Sequence, residues 1–172
     1  MGMMNRIATC HNQYQHPEDY KRVLCVCSGG ILRSPTAAWV LSNAPFNFNT
    51  RAAGAVEDYA LIWTDEVLMQ WCDEIVCMEQ THKKILERAY DLKALKEFKG
   101  KEVPIYVLNI PDNFAYRAPK LIDLIVDRYC EVSGFVIEPE EPVGEIVPEH
   151  PDCICNSKEI REDLECPVHP RV

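Results

Sequence analysis

The chain has 172 residues, 47% of them hydrophobic and 26% charged, which suffices for one full α/β domain and an appendage but not for two large domains. Its net charge of −9 is unevenly placed: residues 131–172 hold 11 acidic and 3 basic side chains and carry −8 of it, which argues against nucleic acid as a partner. No apolar run approaches membrane-spanning length, and the polar start from Asn5 to Arg22 lacks the hydrophobic stretch of an export signal. The expectation is therefore a cytoplasmic protein with no membrane association, whose nine cysteines are catalytic, metal-binding or buried rather than a disulfide framework.

A polar arm, residues 1–22, precedes the apolar run Val23 to Cys27, which reads as a buried parallel strand ended by Ser28-Gly29-Gly30. From Ser34 the chain turns helical, with Pro35 in the first turn and Ala37 to Leu41 continuing until Asn43 and Pro45. Phe46 to Arg51 predicts a second strand, ended by Ala53-Gly54, and Thr64 caps a helix through about Trp71. Glu74 to Met78 predicts a third strand. Thr81 caps the following helix, which runs toward Gly100 with Lys83, Lys84, Arg88 and His82 on its solvent face. Val103 to Asn109 predicts a fourth strand, and Ala118-Pro119 opens a last helix whose Leu121, Ile122, Leu124, Ile125 and Tyr129 form one apolar stripe. This alternation implies an α/β fold, a four-stranded parallel sheet with helices on both faces, over residues 23–134.

In such a sheet the ligand crevice lies beyond the carboxyl ends of the strands, where the loop after Cys27 falls. A loop between strand and helix presents successive backbone N–H groups, and with the positive end of the helix they form a pocket for a tetrahedral oxyanion. Ser28, Gly29, Gly30, Ile31 and Leu32 supply that loop, the two glycines being suited to positive φ angles. Arg33 adds a fixed fork of donors for two phosphate oxygens. Cys27, set in that field, is placed to react as a thiolate in line with phosphorus, and Ser34 to donate a hydrogen bond to its sulfur. Expulsion of an alkoxide or phenoxide also needs an acid, for which Asp112 in Ile110-Pro111-Asp112-Asn113-Phe114 is the candidate, with Phe114 and Tyr116 as walls for an aromatic ring. Cys25, Cys72, Cys77 and Cys130 are expected to be buried thiols.

Cys27 through Arg33-Ser34-Pro35-Thr36-Ala37 resembles the phosphate loop and first helix of the low-molecular-weight protein tyrosine phosphatases, and more closely that of their short bacterial and phage relatives. Arg51-Ala52-Ala53-Gly54 is similar to that family's S-A-G turn, Asp73 to Glu79 to its third strand, and Ile110-Pro111-Asp112 to its general-acid loop. The resemblance, from about Val23 to Val132, implies Cys27 as nucleophile, Arg33 as phosphate clamp, Ser34 as thiolate partner and Asp112 as acid. It implies a protein phosphatase that hydrolyses phosphotyrosine or a small aryl phosphate through a cysteinyl-phosphate, with no cofactor for catalysis. The chain departs from the family at Gly30, where asparagine is usual, at Leu32, where a second cysteine can protect the nucleophile, and at Ala52, where serine is usual. The stretch between Gly54 and Thr64 is also shorter than in the larger members.

A thiol-dependent arsenate reductase shares this loop and fold, and would need a resolving cysteine pair in reach of Cys27, for which Cys72 and Cys77 are the candidates. A non-catalytic phosphate-binding or phosphopeptide-binding module needs neither Cys27 nor Asp112. Past Gly134 an acidic, proline-rich linker spans 135–150, and residues 151–172 carry Cys153, Cys155, Cys166 and His169, two close pairs of zinc-competent ligands with His150 as a spare. A structural zinc site is expected there.

Overall fold

The computed structural model describes residues 20–138. Most of the expected N-terminal arm, nearly all of the linker, and the tail with Cys153, Cys155, Cys166, His169 and the spare His150 lie outside the described residues. Among the described residues no helix is long and apolar enough to cross a membrane.

The chain runs β1 (Arg22–Cys27), α1 (Arg33–Ser42), β2 (Asn49–Gly54), a 3-10 turn (Glu57–Tyr59), α2 (Glu66–Trp71), β3 (Glu74–Cys77), α3 (Gln80–Ala89), α4 (Leu92–Lys99), β4 (Ile105–Val107) and α5 (Pro119–Ser133). All strands are parallel, in the order β2-β1-β3-β4. The expected sheet is thus present. The first crossover leaves β1 for β2 on one side and the next returns to β3 on the other, so the strand order reverses between β1 and β3. Their carboxyl ends flank the crevice that such a reversal creates.

Alternation along β1 divides the core. Val23, Cys25 and Cys27 face the layer of α1 and α5, where they meet Ala37, Leu41, Leu121, Ile125 and Tyr129. Leu24 and Val26 face the layer of α2, α3 and α4, with Leu68, Met69, Ile75, Cys77, Leu86 and Leu95. Every β1 residue from Val23 to Cys27 is buried, because helices cover both faces.

Several boundaries differ from the sequence reading, among them the caps of α2 and α3, which are Asp65 and Glu79 rather than Thr64 and Thr81. The second strand begins at Asn49, not Phe46: Phe46 and Phe48 instead bury their rings beside Tyr129 and Phe135, and Phe48 N–H donates back to Leu41 O at 2.9 Å. The helix expected from Thr81 toward Gly100 is two helices, because the Asp91 carboxylate accepts from Lys93 N and Ala94 N and caps a fresh start. The fourth strand pairs only over Ile105–Val107, within the longer apolar run.

At the amino end of the sheet, Glu74 is buried and receives the Tyr129 hydroxyl at 2.7 Å and an ion pair from Lys21. Burial, with the nearby Glu74 charge, pushes the Tyr129 phenol well above its ordinary value, so it stays a donor. Tyr129→Phe leaves a buried carboxylate short of one bond and is expected to cost about 1.5–3 kcal/mol, read as a lower urea midpoint at unchanged m value. An unchanged midpoint would contradict this role.

Candidate active site

β1 delivers Cys27 to the crevice and the loop Ser28–Leu32 turns the chain into α1, whose N-cap residue Leu32 provides no side-chain cap. The free amides of that helix end are left to the loop's interior. Gly30 has φ 71°, and a Cβ there would lie 2.9 Å from Gly54 N and 3.0 Å from Ala53 C. The loop therefore rests on β2 at van der Waals limit, and only glycine fits. Gly29, expected to share the positive φ, does not have one. At Gly54 the requirement is close approach alone, since a Cβ would meet Ser28 O at 2.7 Å.

The Cys27 sulfur accepts from Gly30 N at 3.2 Å and from Ser34 Oγ at 3.1 Å. Ser34 Oγ also lies 3.1 Å from Ala53 O, so its single proton is shared between a carbonyl and the sulfur.

Arg33 is 1% exposed and holds the site together. Its Nη1 donates to Glu79 Oε1 and, at 2.7 Å, to Ile110 O, which spends both protons of that nitrogen. Asp112 Oδ1 lies 3.0 Å from Nε as an ion pair but off the N–H direction, so buried Nε has no hydrogen-bond partner. The Nε and Nη2 edge of the fork is the one left for an anion. Arg33, through its hydrogen bond, holds the Glu79 carboxyl below its ordinary range.

The cavity over the loop measures about 160 Å³ and is lined by Cys27, Ser28, Gly29, Ile31, Leu32, Arg33, Tyr59 and Asp112. Of the residues named from sequence, Cys27, Arg33, Ser28, Gly29, Ile31, Leu32 and Asp112 thus line one cavity, and Ser34 and Gly30 bond to its sulfur from behind. Phe114 and Tyr116 are not among the lining residues: Phe114 packs against the core cluster under α1 and α5, and Tyr116 is exposed beside the Arg117 guanidinium at 5.0 Å. The aromatic wall is Tyr59, whose ring would lie 3.4 Å from a Cβ on Gly29. Tyr59 stands on the short stretch after Gly54, which backbone bonds join to the loop: Ala55 N to Cys27 O, Val56 N to Ser28 O and Leu61 N to Gly29 O, at 2.8, 3.1 and 2.9 Å.

His82, expected on the solvent face of its helix, is instead 2% exposed. The first turn of α3 packs it inward, where Nδ1 accepts from Glu79 N at 3.0 Å and Nε2 lies 2.9 Å from Ser28 Oγ. Glu79 and His82 were not legible because each acquires its role only when β3 is laid beside β1. Asp73 to Glu79 on a predicted strand next to the loop was the available signal.

Cys72 and Cys77 pack in the layer of α2, α3 and α4, while Cys27 packs in the opposite layer. Burial pushes each thiol up to about 12, which makes both poor nucleophiles at neutral pH. Cys130, expected to be buried, is only half-buried. Among the described residues no cluster of three metal-competent side chains occurs.

No family model matches the chain, and no curated protein does. Among solved structures the chain is similar to the YwlE arginine phosphatase of Geobacillus stearothermophilus, at 23% identity over 64% of this chain and 91% of that one, with a TM-score of 0.46. It is also similar to Vibrio vulnificus Wzb in complex with benzylphosphonate, at 20% identity, 65% and 93% coverage and a TM-score of 0.45. A third is the tyrosine phosphatase Wzb from Escherichia coli K30 in complex with phosphate, at 18% identity, 65% and 95% coverage and a TM-score of 0.47.

Burial lowers the His82 value from its ordinary 6.5, and Arg33 lowers it further, against smaller opposing effects of Glu79 and Asp112. A folded value below the unfolded one gives stability that is complete above 6.5 and lost as pH falls through the folded value. Urea unfolding of the wild type and His82→Gln at about pH 7.5 and about pH 5 should show the wild type losing more stability on acidification. Equal losses would remove the assignment.

Proposed function

We propose that this chain is a cysteine-dependent phosphatase that hydrolyses phosphomonoesters through a phosphoenzyme at Cys27. The observation that carries the reading is the Cys27 sulfur held by Gly30 N–H and Ser34 Oγ, in one cavity with Arg33, whose buried Nε makes no hydrogen bond. A binding module has no use for a sulfur oriented in this way.

The substrate phosphate occupies the loop amides and the open edge of Arg33. Because Asp112 is paired to that same edge, the incoming anion displaces its carboxyl toward the leaving-group side of the cavity. In the first step the Cys27 thiolate attacks phosphorus, the S–P bond forms as the P–O bond to the leaving group breaks, and the Asp112 carboxyl proton passes to the departing oxygen. In the second step water attacks phosphorus, gives its proton to the Asp112 carboxylate, and the S–P bond breaks. Ser34 Oγ–H stabilises the sulfur as it leaves. The products are the alcohol or phenol and inorganic phosphate, and no redox partner is needed.

The cavity favours an aryl phosphate or a phosphotyrosine side chain. Ile31, Leu32 and Tyr59 make an apolar collar, 53%, 38% and 57% exposed, which suits a flat ring entering above the loop. Arsenate reduction loses support from the placement of Cys72 and Cys77 on the far side of the sheet from Cys27.

The purified chain should hydrolyse p-nitrophenyl phosphate, and Cys27→Ser should lose roughly a thousandfold or more of kcat/KM. Full activity in the serine variant would overturn the mechanism, and arsenate-dependent oxidation of a thiol reductant would replace it. Asp112→Asn should slow phenyl phosphate by about 10²–10⁴ and p-nitrophenyl phosphate much less, because the better leaving group needs less protonation. A loss independent of leaving group would make Asp112 a purely electrostatic or structural residue. Tyr59→Ala should raise KM for aryl phosphates by about tenfold and leave inorganic phosphate inhibition little changed.

A further inference from the structure

His82 reaches the phosphate loop from α3, in the layer opposite α1, and touches it at one atom. Its Nδ1 faces the backbone N–H of Glu79, a group that can only donate. Nδ1 therefore presents a lone pair, and the proton of the neutral ring sits on Nε2. That N–H points at Ser28 Oγ at 2.9 Å, which makes the serine oxygen an acceptor from the ring and leaves its own hydroxyl proton free for another partner. Ser28 lines the cavity above Cys27, where that partner is an oxygen of a bound oxyanion. The residue whose amide fixes the ring, Glu79, is the same one whose carboxylate grips Arg33 Nη1. One buried imidazole thus connects the loop on one side of the crevice to the clamp on the other.

We propose that His82 is a positioning residue for oxyanion binding: as the Nε2–H tautomer it holds Ser28 so that the serine hydroxyl donates to the phosphate. The residue acts through Ser28 and touches no reacting atom. The proposal builds on the phosphatase reading, but its primary measurement is phosphate binding, which does not require turnover.

The bland alternative is that the ring only caps α3, and two conservative replacements separate the two. Asparagine reproduces the Nδ1 position and can accept from Glu79 N, but falls short of Ser28. Glutamine reaches the Nε2 position and can donate to Ser28, but presents no acceptor at the Nδ1 position. Binding of inorganic phosphate to the full chain, by titration calorimetry, is compared for wild type, His82→Asn, His82→Gln, Ser28→Ala and the Ser28→Ala/His82→Asn pair, with aryl phosphate turnover followed in parallel. His82→Asn should weaken phosphate binding about tenfold and His82→Gln less than about threefold. In the Ser28→Ala background the asparagine change should cost less than about twofold more, because its target is already gone.

Wild-type phosphate affinity in a folded His82→Asn overturns the proposal, as does an undiminished effect of asparagine in the Ser28→Ala background, which would mean the ring acts by a route other than Ser28; a larger loss in His82→Gln than in His82→Asn would assign the ring to the cap. Should His82→Asn fail to fold, Ser28→Ala carries the decision: it leaves ring and cap in place and must itself weaken phosphate about tenfold, and wild-type affinity there overturns the proposal. Phosphate binding without hydrolysis in the wild type would remove the phosphatase reading and leave the His82 result standing. Absence of phosphate binding would remove both.

Discussion

A fully buried guanidinium is costly unless its charge and its donors are answered, and the whole site is arranged around answering those of Arg33. Glu79 follows β3, Ile110 follows β4, and Arg33 opens α1 behind β1, so its Nη1 bonds tie together the carboxyl ends of three strands. That distribution explains why the parallel order matters for chemistry. No local segment could satisfy Arg33, and the strand reversal between β1 and β3 is what brings Glu79 within reach. Through Nη1 the guanidinium is a structural tie, while on the opposite edge its buried Nε makes no hydrogen bond.

The neighbouring acids fall into two kinds. Glu79 is hydrogen-bonded to a nitrogen whose protons are both spent within the protein. Asp112 is ion-paired to the Nε edge without a hydrogen bond, and it is more than half exposed. Two carboxylates on one cation thus differ in kind: one is hydrogen-bonded to it, and the other faces it by charge alone at a more exposed position.

Much of this was legible in the chain, and the parts that were not share a physical cause. Cys27, Arg33 and Ser34 are held by local geometry: an apolar strand, a glycine turn and a helix start within a dozen residues leave few ways to place them. Asp112 followed from the rule that all carboxyl ends of a parallel sheet open on one side. Tyr59, Glu79 and His82 escaped because they act through contacts between segments far apart in sequence, and a histidine among lysines on a helix reads as solvated until the neighbouring layer is known. Phe114 reads as a wall by its nearness to Asp112, but it packs half-buried against the core cluster, where a large ring gains more by burial than at a rim. The phenylalanines before β2 read as strand by their spacing, yet they close the aromatic cluster around Tyr129.

The bonds from residues 55–61 to the phosphate loop run through main-chain atoms alone, anchored where Gly30 and Gly54 let two backbones touch. A wall fastened by its peptide groups does not depend on which side chains it carries. The side chain at Tyr59 can therefore change while the loop beneath keeps its backbone geometry, whereas Ile31 and Leu32 belong to the loop itself.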